Sequence, residues 1–393
     1  MLQVFIFVGV NKELNKLGFT IERYTMDKQL VGKWYKEELG ETLNIFDEIP
    51  LRMKMSFSSS GYYNFEPNCV YEHDGYFCFE INDDYYRMVY QIKYSDGNLE
   101  GFYTQHGKQT EVKYFKVSNN PEDLPFEVRP TEVYVPGAKL TRLELLKQYA
   151  GYDRNGGECE NAFTLGGTIP EILNKYHYND YINSLDNKSD EIVFRLLDFV
   201  CDHFGHNGTK GLSDGRTISD IVTFCESNDM KTNCRGLAIL LASLLRLNCI
   251  KAQHITCMPY EEPFEDCHVV VDCLLPSGER VMLDPTSRLF YKDKYGKYVS
   301  LSRLRELLIA EEPIYENQTA SYNGNGFAKD YNRDYMIKNT FRFARCTLNE
   351  DGVDGRKGNS RYIELVPFGY PTESFPESRI KDFVFNDVQF WAM

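Results

Sequence analysis

The stretch Asn233-Cys234-Arg235-Gly236-Leu237-Ala238-Ile239-Leu240-Leu241-Ala242-Ser243-Leu244-Leu245-Arg246-Leu247 decides how the rest of the chain is read. From Arg235 to Leu247 only Arg235, Ser243 and Arg246 carry polar side chains, a pattern that predicts a helix buried on nearly all sides. Thr232 and Asn233 are capping residue types at its start. Cys234 therefore falls in the first turn, where unpaired N–H groups and the helix dipole favour a thiolate over a thiol. An apolar helix rooted in a core would hold that sulfur rigidly at its outer end.

Downstream, Ile250–Met258, His268–Leu274 and Arg280–Leu283 read as short strands, the last two separated by the turn Pro276-Ser277-Gly278. Leu301–Ala310 reads as a helix, and 316–335, rich in Asn, Tyr and Gly, as a loop. Phe341–Cys346, Tyr362–Pro367 and Asp382–Phe390 read as closing strands. Upstream, helical spacing starts at Leu140 and recurs over Glu191–Phe204 and Ile218–Phe224. A central helix followed by an antiparallel sheet is an α+β arrangement.

A nucleophilic cysteine needs a base within hydrogen-bond reach and a group that fixes the base's tautomer. His268 opens the strand HVVVDC, and Asp284 ends the strand RVMLD. Two adjacent strands joined at 276–278 would bring them side by side. Cys234, His268 and Asp284 are thus the candidate catalytic residues.

Residues 28–118 alternate as strands do: Leu51, Met53, Met55 and Phe57 in one run, and Tyr86, Met88, Tyr90, Ile92 and Tyr94 in another. Asp96-Gly97 is a hairpin signal. A small antiparallel sheet or barrel is expected. Its opening, Leu30-Val31-Gly32-Lys33-Trp34-Tyr35, resembles the Gly-x-Trp strand start of lipocalin-like barrels, with Trp34 plugging one end of the sheet. Pro121, Pro125, Pro130 and Pro136 mark a linker. The expected organisation is a β-rich domain over 1–118, a linker over 119–139, and an α+β domain over 140–393 with its core at 190–310. Met1–Val10 is apolar but too short for a membrane span and lacks the basic start of an export signal, so it reads as a strand.

The second half resembles the transglutaminase-like superfamily, whose papain-like pattern is a cysteine opening an Ala/Leu-rich helix, then a phrase like Gly-Ile-Pro-Ala-Arg, then a strand starting with His, and then a strand ending Asp-Pro-Thr. Here these stand as Asn233-Cys234-Arg235-Gly236-Leu237-Ala238, then Leu247-Asn248-Cys249-Ile250-Lys251-Ala252, then His268-Val269-Val270-Val271-Asp272, then Leu283-Asp284-Pro285-Thr286. The resemblance implies acyl transfer through a Cys234-His268-Asp284 triad and a thioester, on a protein or peptide substrate, with no cofactor and no metal. Val270, Val281 and Met282 occupy positions where the family often has aromatics, and no Trp lies between Trp34 and Trp391. A crosslinker shields its thioester from water with such rings, so hydrolysis is favoured here over crosslinking by a true transglutaminase. A non-catalytic binding or scaffold protein on the same fold is the reading from another class.

A net charge of −14 disfavours a phosphate-tracking nucleic-acid binder and adhesion to anionic membranes. Eleven scattered cysteines without an export signal suggest reduced thiols and a cytoplasmic setting. Zinc on Cys257, Cys267, His268 and Cys273 is the rival site, but it lacks paired Cys-x-x-Cys spacing, and Cys267 and His268 would face opposite ways on one strand. His203 and His206 follow a helix end and read as capping or solvated residues. Asp351-Gly352-Val353-Asp354-Gly355 superficially suggests calcium but reads as a turn.

Overall fold

The alternation between Leu51 and Tyr94 resolves into one long antiparallel sheet. In the computed structural model, the described residues are 28–393 except 37–40, 49–50, 58–61, 84–85, 106–107, 123–134, 136–137, 139, 154–158, 183–188, 209, 213–214, 263–266, 325–328, 355–360 and 374. The strand expected at Met1–Val10 and most of the proline segment lie outside them. The chain divides into two units, Met1–Thr141 and Arg142–Met393.

The first unit contains β1 (Gly32–Lys36), β2 (Glu41–Phe46), β3 (Arg52–Phe57), β4 (Tyr62–Phe65), β5 (Cys69–His73), β6 (Tyr76–Asp83), β7 (Tyr86–Ser95), β8 (Asn98–Gln105) and β9 (Lys108–Ser118). Their order in the sheet is β4-β3-β2-β1-β9-β8-β7-β6-β5. Each strand pairs with its sequence neighbour except β4 with β5 among the described residues, and the first strand pairs with the last. This is an up-and-down meander turned back on itself, as barrels are. Ser95 pairs with Asn98 across a two-residue turn in which Asp96 and Gly97 both have positive φ, the conformation a tight hairpin turn requires. Trp34, Leu43, Ile45, Met53, Met55, Met88, Tyr90 and Ile92 share one core. The Trp34 indole donates to Leu30 O at 2.8 Å. Buried in the same sheet, Lys36 pairs with Glu41 at 2.8 Å, and the Tyr114 hydroxyl donates to Glu41 at 2.6 Å.

The second unit is mixed α+β. Its six-stranded sheet runs Arg280–Leu283, His268–Leu274, Ala252–Met258, Arg342–Cys346, Tyr362–Leu365, Phe383–Val384, antiparallel except for the last pair. The helix Cys234–Leu247 packs on the strands 252–258 and 268–274. The helices Glu191–His203 and Ile218–Glu226 pack against it in turn. Leu237, Ile239, Leu240, Leu241, Leu244 and Leu245 are all fully or almost fully buried, the predicted all-round burial. Single helices of this composition hold their place through packing rather than propensity.

Two expectations need correction. Asp382–Phe390 is not one strand: only Phe383–Val384 pairs, and Asp387–Phe390 is a helical turn. Asn386 causes the break, since its side-chain oxygen accepts from Gln389 N–H and caps the turn. The region 316–335 is not loop throughout, because Lys329–Asn339 is a helix. That helix lacks an apolar stripe to advertise it, with Met336 and Ile337 as its buried apolar residues among those described. No helix among the described residues is long and apolar enough to cross a membrane.

Candidate active site

Asn233 caps the central helix as its residue type suggests, its side-chain oxygen accepting from Gly236 N–H at 3.0 Å. Its own N–H donates to Lys210 O at 2.9 Å, which ties the cap to the preceding segment. Cys234 is the first residue of the helix and is partly exposed. Its N–H belongs to the first-turn amides that an α-helix leaves without an intrahelical partner. Directly behind it, Arg235 is buried and bonded to Asp354 Oδ1 at 3.1 Å and Thr256 Oγ1 at 2.7 Å. Arg216 holds the other oxygen of Asp354 at 3.1 Å. Both guanidiniums converge on one buried carboxylate and clamp the helix start to the sheet.

His268 opens its strand opposite Cys257. On the neighbouring strand Leu283 pairs with Val271. Extending that register by one residue sets Asp284 beside Val270, on the same face as His268 and diagonal to it. Diagonal pairs are within reach of long or ring side chains. His268 Nε2 and Asp284 Oδ2 are 2.8 Å apart, and Thr286 N–H donates to Asp284 Oδ1 at 2.9 Å. Both side chains are almost wholly buried. With Nε2 turned to the carboxylate, Nδ1 is the nitrogen left to face Cys234. The Tyr335 ring stands edge-on to the imidazole at 5.3 Å.

Burial alone would raise the Cys234 pKa, but hydrogen bonds from His206 and His268, with the charge of His268, bring it down to about 6. Burial would lower that of His268, but the Asp284 charge and hydrogen bond, then Cys234, lift it to about 10. Burial would raise the Asp284 pKa, but the His268 charge and hydrogen bond, joined by the Thr286 N–H, together hold it below the ordinary carboxylate range. At neutral pH the favoured state is a thiolate facing an imidazolium, with a carboxylate behind it.

Sequence reasoning singled out the three residues that meet here and missed two others. His206 does not cap or simply solvate the helix ending at His203; it sits on a two-residue strand, Gly205–His206, paired in parallel with Lys231–Thr232 immediately before Cys234. Tyr322 meets it, hydroxyl to Nδ1 at 2.9 Å. The residues of the rival zinc reading do not gather into a set of three or more ligands among the described residues: Cys257 pairs with His268 across the strands, but Cys273 lies five residues along from His268 and projects to the other face. Among the described residues, His254, Cys346 and Asp354 bring ligand atoms together, but Arg216 and Arg235 already occupy that carboxylate. The segment 351–354 does turn, and its carboxylates are engaged within the protein, Asp351 accepting from Ile218 N–H at 2.9 Å.

No family model matches the chain, and no curated protein does. Among solved structures it is similar to a "putative protease" from Parabacteroides distasonis, at 14% identity over 52% of this chain with a TM-score of 0.22; the aligned part spans 39% of that protein. It is also similar to a "putative cysteine protease" from Cytophaga hutchinsonii, at 12% identity over 73% of this chain and 85% of that one, with a TM-score of 0.24.

Proposed function

We propose that the second unit is a cysteine-dependent amide or peptide hydrolase of papain-like, transglutaminase-like type. The observation that carries this reading is an imidazole 2.8 Å from a buried carboxylate, beside a helix-start thiol whose pKa that imidazole helps to draw down. In the reaction the Cys234 thiolate attacks the substrate carbonyl carbon. A tetrahedral intermediate forms and collapses, and the departing amine takes its proton from His268. Water, deprotonated by His268, then attacks the thioester and releases the acid. Val270, Val281 and Met282, where crosslinking relatives carry aromatic rings, favour water over an incoming amine as acceptor. The test is turnover of a peptide-amide library by the full chain, with Cys234→Ala as control. Amide cleavage or deamidation that disappears in the variant is expected. A library left intact by the wild-type protein would return the fold to a scaffold role, and a majority of amine adducts in the presence of a primary amine would make it a crosslinker.

A further inference from the structure

His206 is unexplained by a scheme of nucleophile, base and orienter, yet the structure invests heavily in its position. On one side it is paired with Thr232, two residues before Cys234; Gly205 N–H donates to Met230 O at 2.8 Å and Asn207 N–H to Thr232 O at 2.9 Å. On the other side Asn323 grips its backbone twice. The Asn323 carboxamide oxygen accepts from His206 N–H at 2.7 Å, and its nitrogen donates to His206 O at 3.0 Å. Asn323 adopts a left-handed φ of 50° in doing so. The adjacent Tyr322 sets its hydroxyl 2.9 Å from His206 Nδ1, with the two rings edge-on at 5.6 Å. The pairing with Thr232 sets His206 two residues from the start of the Cys234 helix, where its hydrogen bond helps to lower the Cys234 pKa.

We propose that His206 is a further catalytic residue, the side-chain donor that joins the Cys234 N–H in binding the oxyanion, and that Tyr322 is the positioning residue that fixes its tautomer. The inference rests on the acyl-transfer reading above. Part-burial and the nearby Cys234 charge raise the Tyr322 pKa, so the phenol keeps its proton. It donates that proton's hydrogen bond to Nδ1, which leaves Nε2 as the N–H. His268 leans on a carboxylate and so carries a proton to and fro; His206 leans on a neutral hydroxyl, which suits a fixed donor. When the thiolate attacks, the S–C bond forms and the carbonyl π pair moves to oxygen. That oxygen accepts from the Cys234 N–H and from His206 Nε2–H. On collapse the pair returns to the carbonyl, the C–N bond breaks, and the amine leaves with a proton from His268. His206 ends as it began. Preorganised donors of this kind act where the charge develops, and removing one slows acyl transfer with little effect on steps that build no oxyanion.

That contrast supplies the test. The full chain is treated with p-nitrophenyl acetate, whose attack by Cys234 builds an oxyanion, and with iodoacetamide, whose displacement builds none. Both are followed at Cys234 by mass spectrometry at a pH where the thiolate is fully formed. His206→Ala should slow acetylation by about 10²–10³-fold while alkylation stays within a few-fold. His206→Gln, which keeps an N–H donor, should recover most of the loss. Tyr322→Phe should lower acetylation alone, by roughly tenfold. Equal losses in both reactions, or unchanged acetylation in His206→Ala, would overturn the inference and leave the triad standing. A wild-type protein that reacts at Cys234 with neither reagent would overturn both.

Discussion

His268 Nε2 lies 2.8 Å from Asp284 Oδ2, two residues apart in register across neighbouring strands and both almost wholly buried. The carboxylate therefore fixes which imidazole nitrogen faces Cys234. Asp284→Asn should fold and yet lose about 10⁴-fold in acyl transfer, because an amide can present its N–H to Nε2 and invert the tautomer. Turnover within tenfold of wild type would reduce Asp284 to the turn residue before Pro285.

The charged pair also predicts how stability depends on pH. A His whose folded pKa is raised to about 10 contributes stability that is fully present below its unfolded value of about 6.5 and is lost as pH rises through the folded one. A Cys lowered to about 6 contributes above its unfolded value of about 8.5 and loses that as pH falls. The two slopes oppose one another in the wild type. Cys234→Ala removes one of them, so its urea-unfolding free energy should fall between about pH 6.5 and pH 9 more steeply than that of the wild type. The further change His268→Gln should flatten it. Parallel slopes in all three proteins would mean that His268 is not held as an imidazolium.

Gly236 sits in the first turn of the central helix, where alanine would ordinarily stabilise by about 1 kcal/mol. Here an added Cβ would overlap the Thr232 hydroxyl and lie 2.7 Å from its Cγ2, and Thr232 is fully buried on the strand that pairs with His206. A short, stiff side chain cannot step aside. Gly236→Ala should therefore destabilise, by about 1–3 kcal/mol in urea unfolding, and slow acetylation of Cys234. A more stable variant with unchanged acetylation would show that the helix start tolerates displacement.

Asp354 pairs with both Arg216 and Arg235 in a buried setting. Removing the carboxylate takes a shared negative charge away from two buried guanidiniums. Asp354→Asn should cost about 3–5 kcal/mol of stability by equilibrium unfolding, far above the effect of a surface ion pair. A loss under about 1 kcal/mol would mean that the cluster is hydrated and does not clamp the helix.

The legible parts of this chain were those written locally. The run from Arg235 to Leu247 announces a buried helix, Asp96-Gly97 a tight hairpin, and the strands opening at His268 and ending at Asp284 lie a single turn apart. What escaped depends on contacts between distant segments. His206 reaches Cys234 only because a two-residue strand pairs with Lys231–Thr232, and no periodicity can be read from two residues. Tyr322 arrives from more than a hundred positions further on. The helix Lys329–Asn339 lacks the apolar stripe that would have separated it from its Asn- and Tyr-rich neighbours. At the other end of the chain, Asn386 turned an expected strand into a capped helical turn.

The central claim is that Cys234 stands as a thiolate beside an imidazolium near neutral pH. Its most direct test is the rate of iodoacetamide labelling as a function of pH, resolved for each of the eleven cysteines by peptide mass spectrometry. Cys234 should react first, with a midpoint near 6 that moves upward in His268→Gln. A midpoint at the ordinary thiol value of about 8.5, or labelling of Cys234 only after denaturation, would contradict the account.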